Sequence, residues 1–95
     1  MGLDAIRKEI DAVDYDIVQA VVRRLLLMNH VAEFKHENSL SLRDHAREEA
    51  LIQKCILLFK EEGINDPAFA RELFELLIRK SVQVQEERMQ ELRNE

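Results

Sequence analysis

Arg24 and Lys35 are the residues of this chain whose type and spacing most clearly suggest chemistry. Eleven residues separate them. At ~100° per residue that is about three full helical turns, so both cations project from nearly one face, roughly 16 Å apart along the axis. The i, i+3, i+4 rows through them hold Val21, Met28, Val31 and Ala32, which makes this face an apolar stripe and not a solvated side. A charge turned toward a packing surface costs several kcal/mol unless something meets it. Two cations in line on such a stripe therefore suit a bound anion. Arg7 is a third candidate, seventeen residues before Arg24. That offset is about 25 Å along the axis and roughly 100° round, too far to share a ligand with Arg24 on one straight helix. In an antiparallel pair of such helices, the partner's Arg7 could complete the cluster around Arg24 and Lys35.

Two further groups stand out. Asp44, Arg47 and Glu48 fall at i, i+3, i+4, on one face of a helix beginning near them. Ser81 and Gln85 lie one turn apart among Leu77, Ile78, Val82 and Val84. Taken singly, each group also has a plain structural reading. Arg24 can snorkel. The Asp-Arg-Glu trio can be a solvated first turn favoured by the helix dipole. Ser81 and Gln85 can face water.

The elements that must position these residues are three helices. Leu3, Ile6, Ile10, Val13, Ile17, Val21, Leu25, Met28 and Val31 recur in steps of three and four, with no Gly or Pro between them, which predicts one helix from Leu3 to about Lys35. It would be roughly 50 Å long. "HENSLSLRD" breaks the pattern, and Ser39 or Ser41 is the expected N-cap of a second helix from about Leu42 to Glu62. In "EEGINDPAF", Gly63 suits a left-handed C-terminal cap, Asp66 an N-cap and Pro67 the first position of a third helix, which runs to near the C-terminus.

The fold class expected is all-α: three helices with a very long first one, in a single domain spanning 1–95. The chain has 95 residues, 46% hydrophobic and 35% charged, with two Gly, one Pro and few aromatics, a composition that suits a helical bundle. A globule of this size has a radius of gyration of about 12 to 13 Å, too small to cover the first helix. The economical solution is an intertwined two-fold homodimer with the long helices antiparallel and the shorter ones wrapped around them.

The net charge of −5 argues against nucleic acid as a partner, because phosphate neutralisation needs a basic surface. Cys55, in "LIQKCILLF", has no second cysteine to pair with and reads as a buried small hydrophobe. His30, His36 and His45 lack a ligand spacing such as i, i+4 and read as surface or boundary residues, so no metal is expected. No signal peptide is evident and no apolar run approaches the ~18 residues of a membrane span, so no membrane partner and a cytoplasmic location are expected.

Together, "LDAIRKEIDAVDYDIVQAVVRR", "VAEFK", "RDHAREEALI" and "GI" with "FARELFELLIRKSVQVQ" resemble the all-helical chorismate mutase family over essentially the whole chain. The spacing that carries the likeness is Arg7, Arg24 seventeen on, Lys35 eleven on, an Arg-Glu pair twelve beyond, and Ser-x-x-x-Gln near the end. The resemblance implies an intertwined dimer that rearranges chorismate to prephenate in phenylalanine and tyrosine biosynthesis, without a cofactor. It implies that Arg24 and the partner's Arg7 clamp the substrate's two carboxylates. Lys35 and Gln85 would hydrogen-bond the ether oxygen, Glu48 and the Asp44 region would take the ring hydroxyl, Ser81 would assist at a carboxylate, and Arg47 would support.

A Claisen rearrangement is unimolecular and needs no nucleophile, metal or proton shuttle. It needs a compact conformer and donors to the oxygen of the breaking bond. Bidentate arginines supply the first and preorganised donors the second. The isochorismate pyruvate lyases of the same fold share the Arg, Arg, Lys and final Gln positions, but lack the Glu of the Arg-Glu pair and carry a bulkier residue at the Ser81 position. Glu48 and Ser81 favour the mutase. The alternative outside enzymology is a non-catalytic helical dimer or adaptor. Between Lys35 and Asp44 the family often has a Pro-Ile-like stretch, and "SLSLR" stands here, so a looser loop over the substrate is expected.

Overall fold

The structure, a computed structural model, describes residues 2–95. It is all-α, with helices α1 (Leu3–Glu37), α2 (His45–Glu61) and α3 (Pro67–Arg93), and no strand occurs among the described residues.

Helix α1 starts at Gly2, whose extended backbone (φ −79°, ψ 164°) offers no side-chain cap, and Asp4 in the first turn meets the dipole instead. It ends where Asn38 closes the last turn and Ser39 enters the left-handed region at φ 54°. Ser39 N then donates to His36 O at 3.4 Å and Leu40 N to Lys35 O at 2.9 Å, the paired bonds of a Schellman end. Gly63 (φ 92°) closes α2 the same way, with Ile64 N on Phe59 O at 2.8 Å. Asp66 caps α3 through Phe69 N at 3.1 Å, with Pro67 first in the helix, as the sequence predicts.

The start of α2 differs from expectation. Neither Ser39 nor Ser41 caps it. Asp44 does, accepting from Arg47 N at 3.0 Å, so α2 begins at His45 and not near Leu42. Serine and aspartate cap equally well, and Ser39 is already committed to ending α1.

Helix α3 packs along both other helices, while α1 and α2 do not approach each other along their backbones. α2 and α3 form a hairpin around the short turn after Glu61, with Phe59 and Phe69 edge-to-face at 5.6 Å between ring centres. α1 and α3 run parallel, since Arg24 meets Ser81, Met28 meets Gln85 and Glu33 meets Arg88. The core is small: Ala32 of α1, Ile52 and Cys55 of α2, and Ala70, Ile78 and Met89 of α3. The molecule measures 55 × 26 × 15 Å with a radius of gyration of 16.9 Å, well beyond the ~12 to 13 Å of a globule this size. The excess is the N-terminal half of α1, where Leu3, Ile6, Ile10, Val13 and Ile17 are exposed.

Candidate active site

Because α1 and α2 both lie on α3 without closing on each other, a recess of about 240 Å³ remains between them, with α3 as its floor. From α1 come Arg24, Met28, Val31 and Lys35, at 0, 4, 7 and 11 on one face. The floor is Ile78, Ser81, Val82 and Gln85. The far wall is Arg47, Glu48 and Leu51 of α2, with Leu42 and Asp44 of the preceding loop. Seven of the eight sequence candidates thus meet in one place.

Arg7 is the exception. It is exposed, pairs with Asp4 of its own turn at 4.0 Å, and does not line the recess. Asp44 lines it with one carboxylate oxygen already spent on capping α2.

Ser81 and Gln85 are 4% and 6% exposed, so the solvent-facing reading of this pair is excluded. Arg24 Nη1 donates to Ser81 Oγ, which in turn donates to Leu77 O at 2.7 Å. Lys35 Nζ donates to Gln85 Oε1 at 2.9 Å and to the Leu42 carbonyl at 2.5 Å. The Gln85 Nε2 amide rests on Met28 Sδ at 3.5 Å, a weak acceptor.

No carboxylate lies within ion-pair distance of Arg24, Lys35 or Arg47 among the described residues. Burial pulls the Arg24 guanidinium below its ordinary value; Cys55 opposes this, and Arg47, a smaller effect still, pushes the same way as burial. A guanidinium does not deprotonate in a protein, so the shift marks a partly desolvated cation. Glu48 is drawn below the ordinary carboxylate range, first by hydrogen bonds from Arg43. The recess therefore has a cationic side on α1 and an anionic point on α2. It can hold an anion on one side and a hydroxyl on the other, with two donors converging between them.

Three contributors escape sequence reasoning. Met28 reads only as part of the stripe. The Leu42 carbonyl carries no side-chain signal. Arg43 pairs with Glu48 across five residues, a spacing that faces no common side in a regular helix. His30, His36 and His45 are exposed as expected, and no group of three potential ligands among the described residues could hold a metal ion. Among the described residues, no helix is long and apolar enough to cross a membrane.

The family model for chorismate mutase type II matches residues 6–86, a stretch containing Arg7, Gln85 and all six other candidates. The chain belongs to the chorismate mutase type II family. The bifunctional chorismate mutase/prephenate dehydratase of Buchnera aphidicola subsp. Schizaphis graminum is 35% identical over 89 residues, which cover 94% of this chain and 23% of that protein. The protein of the same description from Enterobacter agglomerans is 35% identical over 86 residues, covering 90% and 22%. The chorismate mutase of Methanocaldococcus jannaschii is 29% identical over 92 residues, covering 97% of this chain and 92% of that one. The chain thus spans under a quarter of the bifunctional relatives' length and nearly the whole of the archaeal one. No solved structure matches.

Proposed function

We propose that this domain is a chorismate mutase, converting chorismate to prephenate in the cytoplasm on the shikimate route to phenylalanine and tyrosine, as an intertwined homodimer. The observation that carries the reading is the recess itself: Arg24 and Lys35 face it without a carboxylate partner, beside a buried Gln85 and opposite Glu48, in a chain of this family.

The reaction breaks one C–O bond and forms one C–C bond within a single molecule, so the protein's tasks are conformation and charge. Arg24, steadied by Ser81, holds one carboxylate, and the partner's Arg7 holds the other. Two fixed forks keep the dianion folded so that the carbons to be joined approach. Negative charge grows on the ether oxygen as its bond to the ring carbon stretches. Lys35 and Gln85 donate to that oxygen, and Lys35 keeps donors for Gln85 and the Leu42 carbonyl as well. Gln85 loses little in turning its N–H from a thioether to an oxygen with growing negative charge. Glu48 accepts from the ring hydroxyl, with the backbone around Asp44 beside it, and Arg47 lends positive charge to the wall.

The dimer is supported by the bare stripe on α1. Leu3, Ile10 and Ile17, 60%, 50% and 56% exposed, continue the row that α3 covers further along. A second α1 laid antiparallel would cover it and bring the partner's Arg7 toward Arg24. Incubating the chain with chorismate and following the products by NMR tests the function, with prephenate expected. No conversion would leave a helical adaptor. Pyruvate released from isochorismate, with chorismate untouched, would make it a lyase.

A further inference from the structure

We infer that Arg43, through Glu48, is a positioning residue of this site: it holds the hydroxyl acceptor in place and keeps that carboxylate off the cations meant for the substrate. The inference deepens the mutase reading and rests on it. The Arg43 guanidinium grips both carboxylate oxygens of Glu48, Nη2 to Oε1 at 2.5 Å and Nε to Oε2 at 3.2 Å. His45 Nδ1 lies further off, at 3.8 Å. Such a two-point fork fixes the plane of the carboxylate as well as its position.

Glu48 needs that restraint. It shares the recess with Arg24 and Arg47, neither of which has a carboxylate partner among the described residues. A free glutamate side chain on the first turn of α2 could swing onto one of them and occupy the place of a substrate carboxylate. The fork removes this self-inhibition and leaves the outer lone pairs of Glu48 open to a hydroxyl. It also belongs to a series. Leu42 offers its carbonyl to Lys35, Arg43 grips Glu48, and Asp44 caps Arg47, so three consecutive loop residues each engage a residue of the recess. The loop that "SLSLR" marks as loose is thus tied at three points.

The test is steady-state kinetics on chorismate with wild type, Arg43→Ala, Arg43→Lys, Glu48→Gln and the double variant Arg43→Ala/Glu48→Gln. Arg43→Ala is expected to raise KM about tenfold with kcat changed by no more than about threefold, the loss a charge-assisted fork supports. Arg43→Lys, a point charge without the fork, recovers part of the affinity. In the Glu48→Gln background, which has no carboxylate to restrain, Arg43→Ala should add almost nothing. An unchanged KM in Arg43→Ala, or a penalty that persists undiminished beside Glu48→Gln, overturns the inference while leaving the mutase reading intact. Absence of wild-type turnover overturns both.

Discussion

The two halves of α1 carry one apolar periodicity and meet different fates. From Arg24 to Lys35 the stripe lies on α3: Ala32 is buried, and the two cations set in it face the recess. From Leu3 to Ile17 the same steps of three and four put leucine and isoleucine into solvent, although nothing in the local sequence is less suited to burial. Periodicity states which face of a helix seeks cover; what covers it is decided by the length and placement of other elements. Here α3 is 27 residues against 35 in α1, and the side-chain bonds between them run from Arg24–Ser81 to Glu33–Arg88. One half of the helix makes a site inside its own chain. The other presents an unpaired surface that carries Arg7, which the proposed dimer would bring to that site.

The largest expected effect falls on the packed half. Lys35→Ala removes the proposed donor to the ether oxygen and should lower kcat by about 10² to 10³, equivalent to about 2.7 to 4 kcal/mol. Circular dichroism should show the helices intact, because Lys35 is only half-buried. A loss under tenfold would remove Lys35 from the oxygen. On the bare half, Ile10→Asp places an unpaired charge on the proposed interface, at a cost of several kcal/mol per buried copy. Sedimentation at micromolar concentration should shift from twice the chain mass to the chain mass, with activity lost in parallel. Unchanged mass would mean that this face is not the interface.

Gln85→Glu acts from inside the recess. The introduced carboxyl donates to the ether oxygen only when protonated, so activity should survive at acidic pH and fall as the group ionises. A flat profile would place Gln85 outside the reaction. The smallest effect concerns a tie remote from both halves. Arg71 grips Glu49 between α2 and α3 at 2.6 Å and holds its carboxyl down to about 2. A depressed carboxylate stabilises the fold above its ordinary range and loses that contribution as pH falls through the folded value. Arg71→Ala should therefore lower the Tm slightly at neutral pH, and the gap should close between pH 4.5 and 2. A gap that persists at pH 2 would assign Arg71 a packing role.

Much of the recess was legible because helical geometry is rigid. Once Arg24 and Lys35 fall on one face and Ser81 and Gln85 on another, packing parallel helices brings them together with little freedom left. Gly63, Asp66 and Pro67 were equally readable, since each suits a backbone state that few residues favour. The loop was not. Serine and aspartate compete equally for a cap, so choosing Asp44 over Ser41 needed to know that Ser39 turns left-handed to end α1. Arg43 went unseen for the same reason: its reach to Glu48 depends on loop backbone angles, which no periodicity encodes.

In the proposed dimer, the bare half of one α1 completes the site on the packed half of another. Arg7→Ala and Arg24→Ala homodimers should each be nearly inactive, as every site lacks one arm of the carboxylate clamp. Unfolded together, mixed equally and refolded, about half the dimers pair one variant with the other, and each of these holds one intact site and one doubly damaged site. Roughly a quarter of wild-type activity should then return from two inactive parents. No recovery, with mixed dimers verified by mass spectrometry, would mean that Arg7 serves its own chain or has no part in the site.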